Sequence, residues 1–395
     1  MLYTTQNKIE AFYILAFLIL FLQSMHVWFL WGSFFKVVCP ILFLYAAYLN
    51  HKKNPTTYTV IGLEQRKMLL FILFFLAIRG TYDAGLLSIC KSVVGILVLY
   101  EITKLSETSL KKLLEVITKI FGIISIISLF GWILFLIGMS LPNEFIVDEE
   151  FGYSFENYYI FLYNRMGLIP RFCSIFLEPG YYGQLASVIL FANRMKLNNF
   201  YTITIFVGVL FSLSLAGYVL VGLGFIFLYF SLSRIKYLVF VLLVGVFLVN
   251  YAKSYNGGDN PINELIFARM EIEDGKLSGD DRSSYELDKY IENEFIASGK
   301  FLLGVGSTFE SMDWGKGVAG YKVYLVQNGY IGLALAVIGY LLMLYRQRKA
   351  TIQMFLSFVL FMAMYWQAAY PYWFGFFTIY LICLAVYRNP KENVL

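Results

Sequence analysis

Long, almost uninterrupted apolar runs recur along the whole chain, and no other feature limits its folding so tightly. A helix of roughly 20 apolar residues crosses a hydrocarbon core about 30 Å thick. A lone strand there would leave its backbone N–H and C=O groups unpaired, so helices are the spanning form such runs permit. Runs of this kind fall at 10–29, 33–49, 68–82, 84–101, 116–139, 173–192, 199–213, 215–232, 237–252, 320–344, 351–367 and 371–387. They predict an all-α, polytopic integral membrane protein with about twelve transmembrane helices. Composition points the same way. Only 14% of the 395 residues are charged and 59% are hydrophobic, whereas a soluble chain carries about 25% charged residues. Lipid is the solvent predicted for most of the surface.

The formal net charge of +5 is a topology signal and excludes no more than it implies: no nucleic-acid partner is expected from it. The cations collect in alternate connections: Lys52, Lys53, Arg66 and Lys67; Lys104, Lys111 and Lys112; Arg194 and Lys196; Arg234 and Lys236; Arg346, Arg348 and Lys349; Arg388 and Lys391. The positive-inside rule puts these connections, and both termini, in the cytoplasm. The first apolar run has no cleavage site after it and reads as an anchor. The chain then divides into N-terminal transmembrane helices (1–139), a first outer loop (140–172), central helices (173–252), a large outer, periplasmic loop (253–319) and C-terminal helices with a cytoplasmic tail (320–395). Short helices are expected within the large loop, over Asn263–Glu273 and Arg282–Ile296. The second would place Tyr285, Tyr290, Ile291 and Phe295 toward one side, with Ser278 or Asp280 as its cap. Cys39, Cys90, Cys173 and Cys383 show neither metal-site nor disulfide spacing.

The densest chemistry lies in Arg171-Phe-Cys-Ser-Ile-Phe-Leu-Glu178-Pro179-Gly-Tyr-Tyr-Gly-Gln184, where a polar loop meets a span. Pro179 suits the first turn of a helix, which puts Glu178 at the positive end of the helix dipole. Two readings stand side by side. Glu178 either caps that helix and pairs with an arginine, or it is a catalytic carboxylate. Elsewhere, Lys91 falls near mid-span, where a cation is costly. Arg79 and Asp83 read as an i,i+4 pair. Trp366, Tyr370, Tyr372 and Trp373 read as an interfacial belt. The tyrosines of 151–163 suit sugar stacking or packing of the loop.

The Arg-x-x-Ser-x-Phe-x-Glu-Pro pattern from Arg171 resembles that of the O-antigen polymerase (Wzy) family, related to the O-antigen ligase superfamily. Ser212-Leu-Ser214-Leu-Ala-Gly217 is similar to the family's Ser-rich turn. So are Arg282 opening a helix, Phe301-Leu-Leu-Gly-Val-Gly306 and Gln327-Asn-Gly-Tyr-Ile-Gly332. The resemblance covers about 170–335 in detail. It implies a bacterial inner-membrane glycosyltransferase that needs no metal or other cofactor. Its expected partner is an undecaprenyl-pyrophosphate-linked oligosaccharide in the bilayer; a chain-length regulator protein is a further candidate. In that chemistry a cation holds the departing diphosphate, and arginine's planar fork suits phosphate oxygens. Arg171 and Arg282 are the candidates, followed by Arg165. Glu178 is the first candidate for the base, with Asp281 and Glu286 as alternatives. Ser214 and Tyr285 are carried over as substrate-binding candidates. The related ligases place a histidine where this chain offers Tyr321 and Lys322, a departure that favours polymerase over ligase and leaves the base open.

Three other classes compete. A lipid-linked oligosaccharide flippase or other transporter tends to show related halves, and this chain shows none. A metal-dependent membrane glycosyltransferase would carry carboxylates in its first outer turn, where Gln23-Ser-Met-His26-Val-Trp28 has none. A ligase-like transferase lacks its histidine here.

Overall fold

A computed structural model of the protein describes residues 2–53, 59–81, 85–148, 154–164, 170–229, 247, 250–251, 253–260, 263, 272–273, 276–277, 284–312, 314, 320–345, 351–366 and 371–388. Among these, twelve α-helices account for most of the chain: α1 (Leu2–Ser24), α2 (Ser33–Lys53), α3 (Leu63–Gly80), α4 (Leu86–Ile102), α5 (Glu107–Leu136), α6 (Pro179–Ala192), α7 (Phe200–Ser212), α8 (Leu215–Tyr229), α9 (Tyr285–Tyr290), α10 (Tyr321–Leu344), α11 (Ile352–Tyr365) and α12 (Phe374–Tyr387).

The expectation of about twelve spans is corrected by helix length. Three described helices are long and apolar enough to cross a membrane: α2 with 21 residues, α5 with 30 and α10 with 24. The runs at 199–213, 351–367 and 371–387 fold into helices of 13 or 14 residues. At 1.5 Å per residue these rise about 20–21 Å, short of a ~30 Å core. The apolar run and the helix differ where cap residues leave the helix, as Leu213 does after α7 and Trp366 after α11. The run at 237–252 lies almost wholly outside the described residues. Several long apolar helices remain, the makeup of a multi-spanning membrane protein. Their outward faces agree with it, since Phe34, Phe71 and Phe130 are 68%, 71% and 64% exposed.

The chain forms two compact units, Met1–Ile117 with Arg282–Leu395, and Thr118–Asp281. In the first, α1 packs on α2 and α12, α4 on α2 and α3, and α10 on α3 and α11. Its basic helix ends are laced together. Lys112 Nζ donates to Glu10 (2.6 Å), Lys111 pairs with Glu107 (3.0 Å), and Gln65 donates to the Leu342 carbonyl (2.8 Å). Helix α9 starts at Ser284, whose hydroxyl accepts from the Leu287 N–H (3.1 Å); the expected caps Ser278 and Asp280 lie outside the described residues. Helix α9 runs on into a π-turn, Ile291–Phe295. Leu287 of α9 and Phe295 at the end of that turn lie in a buried cluster with Val305, Phe309, Trp314 and Val326, while Tyr290 and Ile291 pack against it. Tyr285, expected on that side, is 75% exposed.

In the second unit, the loop expected over 140–172 contains a three-stranded antiparallel sheet: β1 (Glu144–Val147), β2 (Ser154–Asn157) and β3 (Leu162–Tyr163). Its aromatic residues pack: Tyr158 stacks on Phe161 (4.7 Å), and Tyr163 meets Phe135 at a tilt (5.0 Å). The C-terminal end of the expected helix Asn263–Glu273 is instead strand β4 (Ile272–Glu273), paired with β5 (Lys276–Leu277).

Candidate functional site

The site begins with three helices that approach closely because small residues let them. Gly183 of α6 faces Ser214 and Gly217 at the start of α8. A Cβ on Gly217 would sit 3.1 Å from the Gly183 Cα, and one on Gly183 would sit 2.8 Å from the Ser214 Cβ. Ser187 of α6 donates to the Gly217 carbonyl (3.0 Å). Helices α7 and α8 are joined only by Leu213, in the left-handed region at φ 46°, and Ser214. The Ser214 hydroxyl is buried and accepts from the Gly217 N–H (3.2 Å), as a helix-capping serine does.

The last carbonyls of α7 have no partner within their own helix, and the Arg171 segment supplies them. Phe172 N–H donates to the Phe211 carbonyl (3.0 Å). Arg171 Nε donates to the Ser212 carbonyl (3.1 Å) and Nη2 to the Leu213 carbonyl (2.8 Å). Two of the five guanidinium N–H groups thereby fix the plane of the cation, which also sits at the negative end of the α7 dipole. The two loosely similar stretches, Arg171–Gln184 and Ser212–Gly217, are in direct contact.

Glu178 takes the N-cap position of α6 with Pro179 following, as its sequence predicts, yet its side chain makes no capping hydrogen bond. No hydrogen bond or ion pair engages its carboxylate among the described residues. Between Arg171 and Glu178 lies Cys173, buried, with its thiol donating to the Leu162 carbonyl (3.0 Å). Burial pushes this thiol up to about 12; the Arg171 charge pulls it down and the Glu178 charge adds to the rise. Cation and carboxylate thus lie within electrostatic reach of the same sulfur. Ser174 beside it, at φ 55°, hydrogen-bonds the Ser128 hydroxyl of α5 (2.7 Å), and Leu162 N–H donates to the Ser174 carbonyl (2.8 Å). The stretch between Arg171 and Glu178 is anchored to both helix and sheet.

The remaining candidates fall elsewhere. Arg165, Arg282 and Asp281 lie outside the described residues. Tyr285, Glu286, Tyr321 and Lys322 belong to the other compact unit. There Lys322 Nζ pairs with Asp288 of α9 (2.8 Å) and Tyr321 stacks on Trp366 (4.4 Å). These two contacts hold α9 and the start of α10 in place.

In that unit the stretches 301–306 and 327–332 also meet. Helix α10 is interrupted at Gly329, with φ 69° and ψ 179°. The N–H groups of Tyr330 and Ile331, exposed by the break, donate to the Phe301 (2.8 Å) and Leu302 (3.1 Å) carbonyls, and Val305 N–H donates to Val326 (2.8 Å). Arg79 of α3 donates to the Leu303 and Gly304 carbonyls; Asp83, its expected partner, lies outside the described residues. Sequence reasoning missed this role of Arg79, and also Tyr218, four residues after Ser214 in the same helix face, whose hydroxyl donates to the Leu210 carbonyl (2.5 Å). The contact of His51 with Glu101 (3.1 Å) was likewise not foreseen: each is unremarkable in its own run, and only folding makes them neighbours. Comparison with protein-family models, with curated proteins and with solved structures finds no match to this chain.

Proposed function

We propose that the protein is a polysaccharide polymerase. It would transfer a growing glycan from undecaprenyl pyrophosphate to a lipid-linked repeat unit at the outer face of the bacterial cytoplasmic membrane, with both termini in the cytoplasm. One observation carries the reading: a single anchored segment holds a guanidinium fixed by the α7 carbonyls and, seven residues on, a carboxylate, Glu178, that has no hydrogen-bonding partner among the described residues. In this reaction the acceptor hydroxyl loses its proton to Glu178 as its oxygen bonds to the anomeric carbon. The bond from that carbon to the diphosphate breaks, and the electron pair leaves on the diphosphate, which Arg171 stabilises. Arg165, in the same unit, is proposed as a further diphosphate ligand.

The interruption of α10 favours a transporter as the second reading, because broken helices hold substrate in many transporters. The N–H groups that a substrate would use are already taken by Phe301 and Leu302. In cells, Arg171→Ala and Glu178→Gln should leave single-repeat product and no long chains. Normal chain-length distributions from both variants, at wild-type protein levels, would remove the proposed roles.

A further inference from the structure

The ends of α2, α3 and α4 in the first unit enclose a cavity of about 350 Å³, lined by Tyr48, His51, Thr59, Arg66, Glu101 and Lys104. Its size falls within the range of small-molecule sites, and its wall combines apolar surface, from residues such as Leu44 and Tyr48, with the ionisable side chains His51, Arg66, Glu101 and Lys104. Glu101 is engaged from two sides, by His51 Nε2 (3.1 Å) and Lys104 Nζ (2.5 Å). The α2 and α4 C-termini bring partial negative charge to this end, and His51, Lys52 and Lys53 in the last turn of α2 offset it.

Arg66 is left over. It rises from the first turns of α3, whose N-terminus is fixed by Gln65: Oε1 accepts from the Gly62 N–H (2.8 Å) and Nε2 donates to the Leu342 carbonyl (2.8 Å). Arg66 Nε is buried and has no hydrogen-bond partner, and no ion pair neutralises the guanidinium among the described residues. Arg66 also lines the cavity, so its charge is presented there with no counter-ion among the described residues. Arg66 and Lys104 outweigh Glu101 by one positive charge, and protonation of His51 adds a second.

We propose that this cavity binds a phosphate group, with Arg66 as its principal ligand and Lys104 and His51 beside it. Phosphate oxygens would meet the terminal edge of the Arg66 guanidinium, whose planar geometry suits them, while Lys104, a point charge already paired with Glu101, adds electrostatic attraction. The same chemistry is offered by free phosphate and by the headgroup of an anionic phospholipid. The proposal stands apart from glycan transfer and does not depend on it.

The test uses the full chain in phosphatidylcholine nanodiscs. Inorganic phosphate is titrated while the thermal unfolding midpoint and the ³¹P signal are followed. A parallel set uses nanodiscs of equal parts phosphatidylcholine and phosphatidylglycerol. Saturable stabilisation by phosphate identifies the free anion; stabilisation only with phosphatidylglycerol identifies the headgroup. In either case Arg66→Gln should weaken binding by about tenfold or more, and Lys104→Gln, as a second variant, severalfold. Glu101→Gln, which removes the competing charge, should not weaken it. Absence of saturable binding in both nanodiscs overturns the proposal. So does binding unchanged in whichever of Arg66→Gln and Lys104→Gln folds.

Discussion

At the scale of single residues, Arg171 has a structural role as well as its proposed chemical one, since its two hydrogen bonds cap α7. Arg171→Ala should therefore cost about 1–3 kcal/mol of stability as well as activity. Arg171→Lys keeps the charge but loses the planar two-carbonyl grip; it should unfold nearer to wild type and still fail to make long chains. Glu178 makes no capping bond, so Glu178→Gln should change stability by less than about 1 kcal/mol while abolishing polymer. Equal losses of stability and activity in Glu178→Gln would mark it as a capping residue. Glu101, in the last turn of α4, behaves differently. Burial raises its affinity for a proton, but the His51 and Lys104 hydrogen bonds outweigh burial and lower its pKa below the ordinary 4.5. A carboxylate whose folded pKa is depressed contributes stability that is present above the unfolded pKa and lost as pH falls through the folded one. Thermal unfolding of wild type against Glu101→Gln should show a wild-type advantage above pH 4.5 that shrinks below it. An advantage that grows with acidification would contradict the sign.

Among elements, the joint between 301–306 and α10 is the most constrained. Gly304 and Gly329 both have φ near +70° (74° and 69°), and a Cβ on either would collide with backbone, of Gln327 and Leu302 respectively. Gly329→Ala should destabilise the protein by at least about 1–3 kcal/mol through backbone strain alone, with the clash adding to it. Measured by thermal unfolding, a wild-type midpoint would show that the break is not required. Local signals made some elements legible and others not. The start of α6 was readable because Pro179 permits only a first-turn position. The helical stretch Tyr285–Phe295 was readable as apolar spacing, and three of the four residues expected on its inner side, Tyr290, Ile291 and Phe295, do join or pack on the buried cluster. Tyr285 is exposed and Leu287 buried instead, because the helix changes to a π-turn at Ile291 and a single helical period does not fit both parts. Arg79 was read with its neighbour Asp83, whereas its acceptors are carbonyls more than 200 residues away. The strands β1–β3 were hidden in a segment whose aromatic residues suggested only a loop.

Across the whole molecule, the apolar runs located the helices to within a few residues at most positions, because hydrophobic length and helix formation coincide in lipid. They did not give the number of spans. A run of apolar residues counts its end turns and caps, and a helix does not, so several runs yield helices of 13 or 14 residues. The candidate site was legible where it is local, from Arg171 to Gln184. Its contact with Ser212–Gly217 rests on helix ends and glycines brought together only by packing. The central claim is that a fixed arginine and an unengaged carboxylate join lipid-linked sugars. Its most direct test is to incubate the purified protein with an undecaprenyl-pyrophosphate-linked repeat unit, without other enzymes, and to resolve the products by size. The account predicts a ladder of multiple repeats from wild type and the unextended unit from folded Arg171→Lys and Glu178→Gln. The unextended unit alone from folded, active-condition wild type, or an undiminished ladder from both variants, would contradict it.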